Sequence, residues 1–88
     1  MNLDQLRSEI DKVDEEILDL LKKRQEIARM VGAFKKKNGI KPLQQERWKE
    51  VLNSRLESGK NKGLRPELVE SIWQKIHDDS LDKQRLQS

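Results

Sequence analysis

The sequence contains no cysteine, no tyrosine, one histidine and one phenylalanine, and only two prolines in 88 residues. Without cysteine the chain can form neither a disulfide framework nor a thiolate metal site, and His77 alone cannot provide a histidine cluster. No apolar run approaches the roughly 20 residues of a membrane span, and no signal peptide opens the chain. We therefore expect a cytoplasmic protein with no metal, no cofactor and no membrane partner.

Charged residues make up 40% of the chain, and 19 basic residues against 16 acidic ones give a net charge of +3. This mild excess is compatible with an anionic small molecule or with a nucleic acid. The cluster of Lys35, Lys36, Lys37 and Lys41 is the feature that favours a helical nucleic-acid binder. Because acidic residues nearly match basic ones, we favour the small molecule and expect no nucleic-acid partner.

The first 36 residues carry a heptad-like apolar repeat, which we call the heptad seam. Its apolar members are Leu3, Leu6, Ile10, Val13, Ile17, Leu20, Ile27, Val31 and Phe34. A 3.5-residue period places them on one stripe of a helix, which we predict to be buried. Asn2 followed by Gln5 has the spacing of a capping box, so a helix is predicted from Leu3 to Lys36.

This helix would be roughly 50 Å long at 1.5 Å per residue. An 88-residue globule is only about 24–26 Å across, so two short segments cannot cover the helix. Chains of this size are also marginally stable alone, and oligomerisation is a common remedy. We expect the long helix to pack along a second copy in an antiparallel homodimer, with residues 1–88 forming a single domain.

Two shorter helices are predicted after the loop at residues 38–42. The second runs from residue 43 or 44 to residue 58, followed by a loop at residues 59–63, and the third opens at Pro66. Their apolar faces are Trp48, Val51, Leu52 and Leu56, and Val69, Ile72, Trp73 and Ile76. Because no segment alternates with the period of a strand, the predicted fold class is all-α, with one long and two shorter helices.

Polar side chains interrupt each of these apolar faces. Arg24 lies within the heptad seam, Gln44 lies one turn before Trp48, and Ser80 and Gln84 extend the face of the third helix. A buried arginine needs an anionic partner, and no seam residue can supply one. An external anion is therefore a candidate ligand, although a glutamate across an interface would satisfy Arg24 equally well.

Helix geometry limits which cations can share a ligand with Arg24. Lys35 lies on the same side of the helix at roughly 16 Å, so the two side chains can converge on one small molecule. Arg7 lies roughly 25 Å away and can reach this region only from an antiparallel partner. Taken singly, Arg7 and Lys35 are typical of solvated or snorkelling side chains, and His77 of a partly exposed surface residue. Trp48 and Trp73 are most simply core aromatics.

Four segments resemble the all-helical chorismate mutases. They are LRSEIDKVD at residues 6–14, LLKKR at 20–24, VGAFK at 31–35 and IHDDSLDKQ at 76–84. Their order and spacing span nearly the whole chain. The resemblance implies three helices per chain, an intertwined dimer with two active sites, and the rearrangement of chorismate to prephenate in aromatic amino-acid biosynthesis.

The resemblance also implies roles for individual residues. Arg24, and Arg7 of the partner subunit, would bind the two carboxylates of chorismate, with Ser80 assisting one of them. Lys35 and Gln84 would donate hydrogen bonds to the ether oxygen of the breaking bond. The remaining predicted substrate-binding positions are Gln44, Arg47 and Trp48.

Trp48 is the main departure from the family pattern. Gln44 and Trp48 fall where the family commonly has an aspartate and a glutamate, and that glutamate usually contacts the ring hydroxyl of the substrate. A tryptophan cannot accept that hydrogen bond. Isochorismate–pyruvate lyases of this fold also lack the glutamate, so the lyase is an alternative. The stretch QQERW at residues 44–48 resembles a subset of the mutases, some of them fused to another shikimate-pathway enzyme.

The lack of nucleophilic and metal-binding groups agrees with a pericyclic rearrangement, which needs neither a nucleophile nor a proton transfer. Such a reaction needs a flexible dianion held in its compact conformer and fixed donors at the ether oxygen. A non-catalytic helical binding or dimerisation domain is the remaining alternative. That alternative explains the heptad seam but not the combination of Arg24, Ser80 and Gln84.

Overall fold

The computed structural model describes residues 1–86 and contains three α-helices. They are α1 (Leu3–Lys37), α2 (Gln45–Asn61) and α3 (Pro66–Leu86). No strand is present within the described residues, so the predicted all-α class with one long and two shorter helices is confirmed. None of these helices combines the length and apolarity that a membrane span requires, as far as residues 1–86 are concerned.

The capping box predicted at the start of α1 is present. The side chain of Asn2 accepts a hydrogen bond from the backbone of Gln5, and the Gln5 side chain accepts one from the backbone of Asn2, both at 2.8 Å. At the other end, α1 closes one residue later than predicted, at Lys37. Gly39 then adopts φ +67°, a left-handed conformation that a residue without Cβ reaches at little cost.

Helix α2 extends three residues beyond its predicted end at Ser58, so the loop predicted to open at Gly59 was wrong. Gly59 lies inside the helix because α3 approaches it closely. A Cβ at this position would lie only 2.7 Å from Cγ2 of Val69. Tertiary packing here outweighs the weak helix propensity of glycine, and the chain turns instead at Gly63, where φ is +77°.

Helix α3 packs against both α1 and α2, whereas α1 and α2 do not pack against each other within the described residues. Gly32 permits the contact between α1 and α3, since a Cβ there would lie 2.6 Å from Cα of Gln84. The buried apolar core is small and consists of Ala28, Val51, Val69 and Leu81. A space is therefore left between α1 and α2, with α3 beside it.

The heptad seam is exposed in the single chain, so its predicted burial against a second copy stays a prediction. Its nine apolar residues remain between 38% and 64% exposed. The molecule measures 55 × 24 × 15 Å, and its radius of gyration is 16.1 Å. A compact chain of this length would have a radius of gyration of about 12 Å. The length of α1 explains the difference, because α2 and α3 cover only part of it.

Candidate functional site

A cleft of about 460 Å³ lies between α1 and α2 and is completed by α3 and by Pro42 in the loop before α2. It brings together seven of the eight predicted site residues. They are Arg24, Lys35, Gln44, Arg47, Trp48, Ser80 and Gln84. Arg7 does not line the cleft; it lies on the exposed N-terminal part of α1, as its separation from Arg24 requires.

Arg24 is half-buried and donates a hydrogen bond from Nη1 to Oγ of Ser80 on α3. Burial lowers the pKa of Arg24, the nearby charge of Arg55 lowers it further, and Asp79 opposes both effects. Within the described residues Arg24 forms no ion pair. Its positive charge is thus held in the cleft by a neutral hydroxyl and is left without a carboxylate.

Lys35 is also half-buried, and both of its hydrogen-bond acceptors are uncharged. Its Nζ donates to Oε1 of Gln84 at 2.7 Å and to the backbone oxygen of Pro42 at 2.6 Å. Burial lowers the pKa of Lys35. These two bonds tie the ammonium group to α3 on one side and to the loop on the other, so its position is fixed before any ligand arrives.

A stacked aromatic pair, Trp48 on α2 and His77 on α3, forms part of the cleft lining. The two ring centroids are 4.0 Å apart and the planes differ by 14°. Both residues are half-buried and line the cleft, so Trp48 is not a fully buried core residue and His77 is partly exposed, as predicted. Burial lowers the pKa of His77, Asp78 opposes this, and Arg24 and Arg85 reinforce it, which favours a neutral imidazole.

Gln44 and Arg47 lie at the exposed rim of the cleft. Gln44 is the N-cap of α2 without a side-chain cap bond, and its Nε2 donates to the backbone oxygen of Lys41 at 3.0 Å. Arg47 has its Nη1 3.8 Å from Oε2 of Glu50, but both side chains are largely exposed. Such a surface pair contributes little to stability and leaves the guanidinium available to a ligand.

Arg55 is a cleft residue that the sequence analysis missed. It is half-buried on α2 and shares the cleft-lining face with Trp48 and Val51, which precede it by seven and four residues. The helical spacing of Arg55 could have identified it as a site residue. It interrupts the apolar face of α2 in the same way that Arg24 interrupts the heptad seam.

The charges that line the cleft are therefore of one sign. Four permanent cations face it: Arg24, Lys35, Arg47 and Arg55. No aspartate or glutamate is found among the lining residues within the described part of the chain. A half-enclosed space with this charge and several fixed donors is suited to binding a small anion with more than one acidic group.

The same arrangement of helices occurs in a solved structure of a conserved hypothetical protein from Pyrococcus furiosus. It is 35% identical to this chain, covers 93% of both chains and superposes with a TM-score of 0.73. A family model described as chorismate mutase type II matches residues 6–85. The chain belongs to the type II chorismate mutase family. The predicted family is thereby confirmed.

Two curated relatives of this chain are much longer proteins. The T-protein of Enterobacter agglomerans is 36% identical over 75 residues, which are 85% of this chain and 20% of the T-protein. The T-protein of Haemophilus influenzae is 32% identical over 78 residues, which are 89% of this chain and 21% of that protein. The chain thus spans about a fifth of the length of both relatives.

Proposed function

We propose that this chain catalyses the rearrangement of chorismate to prephenate. The observation that carries the proposal is a cleft in which Lys35 is fixed against Gln84 and whose lining, within residues 1–86, includes Arg24, Arg47 and Arg55 but no carboxylate. Chorismate is a dianion, so its two carboxylates would compensate the positive charges that line the cleft. Family membership supports the same substrate.

The first role of the cleft is to hold the substrate in its compact conformer. In this proposal Arg24, oriented by Ser80, binds one carboxylate, and Arg7 of the partner subunit binds the other. Holding both ends of a flexible molecule removes its conformational entropy when it binds. Less entropy then has to be lost on the way to the transition state, so the activation barrier is lower. Gln44 and Arg47, at the rim, would contact the substrate where it enters.

The second role is electrostatic. As the C–O bond breaks, negative charge develops on the ether oxygen, and in this proposal Lys35 and Gln84 donate hydrogen bonds to it. Since Lys35 is already fixed and partly desolvated, its charge acts without reorganisation during the reaction. The bond reorganisation itself is intramolecular and requires no group of the protein to form a covalent bond or to accept a proton.

The homodimer is part of the proposal, because the site in one chain lacks Arg7. The exposed apolar residues of the heptad seam support it: an unpaired apolar stripe of this length is costly in water and is typical of a helix–helix interface. An antiparallel arrangement would bring Arg7 of each chain to the cleft of the other. A cytoplasmic location and association with another shikimate-pathway enzyme remain predictions.

Isochorismate–pyruvate lyase activity is the second candidate, and one observation favours it. Trp48 stands where the mutases commonly have a carboxylate for the ring hydroxyl, and no carboxylate lines the cleft within residues 1–86. The two substrates differ in the position of that hydroxyl. The part of the cleft formed by Trp48 and His77 would therefore determine whether chorismate or isochorismate is the substrate.

One experiment separates these candidates. The protein is incubated with chorismate and, separately, with isochorismate, and the products are followed by chromatography. Prephenate from chorismate supports the mutase, whereas pyruvate and salicylate from isochorismate support the lyase. A sample without protein serves as the control for uncatalysed conversion. If neither substrate reacts faster than in this control, the proposed function is wrong.

A further inference from the structure

Arg55 has no role in the mechanism proposed above, although it lines the same cleft as Arg24. Its Nη1 donates to Oγ of the adjacent Ser54 at 3.2 Å, a neutral partner on the same helix. Within the described residues Arg55 forms no ion pair. A half-buried guanidinium with only this exposed neighbour is not explained by the fold.

The position of Arg55 is set by the packing of α2. Val51, one turn earlier, is buried, and Trp48, two turns earlier, is stacked on His77 of α3. These contacts hold the α2 face that carries Arg55 toward the cleft. The side chain is thereby kept half-buried on the α2 wall, opposite the α1 wall that carries Arg24.

The guanidinium groups of Arg55 and Arg24 repel each other. Arg55 is close enough that its charge lowers the pKa of Arg24, in addition to the larger effect of burial. Like charges in a partly desolvated space raise the free energy of the protein, and an anion between them reverses the sign of the interaction. An anion bound between Arg24 and Arg55 would therefore be attracted by both guanidinium groups.

Within residues 1–86, no carboxylate takes the place of such an anion. Asp79 is the acidic residue that acts on Arg24, but its two oxygens are bonded elsewhere. Oδ2 accepts from Gln25 at 3.0 Å and Oδ1 pairs with Lys83 at 3.2 Å. The space between Arg24 and Arg55 is left to an external anion.

We propose that Arg55 and Arg24 hold the same carboxylate of the substrate from opposite walls of the cleft, which makes Arg55 a further substrate-binding and specificity-determining residue. The identity of the substrate rests on the function proposed above. Because α1 and α2 do not contact each other directly, a carboxylate bound in this way bridges the two helices. The cleft would then favour dianions over ligands that have lost one acidic group.

The test compares Arg55→Gln with Lys49→Gln. Both changes remove one positive charge from α2, but Lys49 is exposed, pairs only with Glu46 and does not line the cleft. For Arg55→Gln we expect KM for chorismate to rise roughly 10- to 100-fold, the usual size of one lost charge-assisted hydrogen bond. We expect kcat to change less, because the contact is made in both the ground state and the transition state.

Arg55→Lys serves as the conservative variant, and its KM should lie between those of the wild type and Arg55→Gln. An ammonium group keeps the charge but loses the forked donor geometry of arginine. If Arg55→Gln does not fold, the KM of Arg55→Lys tests whether Arg55 binds the substrate. A KM for Arg55→Lys equal to that of the wild type would then overturn the proposal.

The outcomes separate this inference from the proposed function. If the wild type converts chorismate and Arg55→Gln has the KM of Lys49→Gln, Arg55 has no part in binding while the function stands. If the wild type converts neither chorismate nor isochorismate, chorismate becomes a stable ligand for calorimetric titration. Absence of binding to the wild type, or equal Kd values for wild type and Arg55→Gln, then overturns the role of Arg55 as well.

Discussion

Lys35 carries its charge in a half-buried position between two uncharged acceptors, and this arrangement makes it the most informative residue to change. Lys35→Ala should lower kcat by about 100- to 1000-fold, the usual effect of removing one preorganised donor from a developing negative charge. Stopped-assay measurement of prephenate formation gives kcat, and circular dichroism reports the helical content. Lys36→Ala, at the exposed neighbouring position, is the control and should retain normal kcat.

A folded Lys35→Ala protein with near-normal kcat would contradict the role assigned to this ammonium group. Loss of helical content would instead mean that the bonds from Lys35 to Gln84 and Pro42 are needed for the fold. The two readouts together therefore distinguish a catalytic contribution from a structural one.

His77 is the sole histidine of the chain, so its titration can be followed without assignment ambiguity. Nuclear magnetic resonance of its ring protons should give a midpoint below the ordinary pKa of 6.5, because burial in the stack with Trp48 disfavours the charged ring. Trp48→Leu removes the stacked ring, and the midpoint should then move toward the ordinary value. A midpoint above 6.5 in the wild type would mean that Asp78 outweighs burial.

The same shift predicts the sign of a stability effect. Because the folded pKa of His77 lies below that of the unfolded chain, the unfolded state binds more protons in the interval between them. This contribution to stability is fully present above pH 6.5 and is lost as the pH falls through the folded pKa. The free energies of unfolding of the wild type and of His77→Gln are compared at the two pH values that bound the interval. The difference between the two proteins gives the contribution of His77 separately from that of the carboxylates, which titrate in both.

Individual residues of the site were predictable where a polar group interrupted an apolar stripe. Arg24, Ser80 and Gln84 were identified in this way, and all three line the cleft. Arg55 obeys the same rule on α2, where only Gln44 was predicted to be a polar interruption of the apolar face. The stack of Trp48 on His77 joins residues of different helices, and periodicity specifies a face but not the residue that it meets.

At the scale of elements, the contact between α1 and α3 depends on Gly32. Gly32→Ala should destabilise the protein by about 1–3 kcal/mol, since overpacking outweighs the gain in helix propensity. The new Cβ would meet the backbone of Gln84, at 2.6 Å from Cα and 2.7 Å from the carbonyl oxygen, so α3 must move as a whole. Urea unfolding of both proteins at the same protein concentration measures the decrease in the free energy of unfolding.

Gly59→Ala is the matched comparison on α2. Its new Cβ would meet a side chain, Cγ2 of Val69, which can adjust more easily than a backbone. Gly32→Ala should therefore be the more destabilising of the two changes and should also reduce activity by displacing Gln84. A Gly32→Ala protein as stable as the wild type would show that α1 and α3 can move apart without any loss in the free energy of unfolding.

Helix boundaries were predictable to the extent that local chemistry sets them. The capping box at Asn2 and Gln5 and the glycine after α1 act through neighbouring residues, and both ends of α1 were predicted to within one residue. The end of α2 was not, because Gly59 is kept helical by its contact with Val69 on another element. A long-range contact of this kind leaves no signal in a local window of sequence.

At the scale of the whole molecule, the exposed heptad seam predicts self-association. Sedimentation equilibrium should give twice the chain mass of 10.4 kDa, with no monomer at assay concentrations. Leu20→Asp places a charge in the middle of the seam and should produce monomers with little activity. Lys22→Asp introduces the same acid on the outer face of α1 and should leave the dimer intact. A fully active monomeric wild type would exclude a site shared between chains.

The length of α1 has a further consequence for dimers formed from two different inactive variants. Arg7 and Lys35 lie about 42 Å apart on one continuous helix, too far to serve the same cleft. If each cleft takes Arg7 from one copy and Lys35 from the other, two inactive variants should complement each other. Unfolding and refolding a mixture of Arg7→Ala and Lys35→Ala chains would create hybrids in which one cleft has lost both residues while the other keeps both. Activity would then appear in a mixture of two proteins that are each inactive.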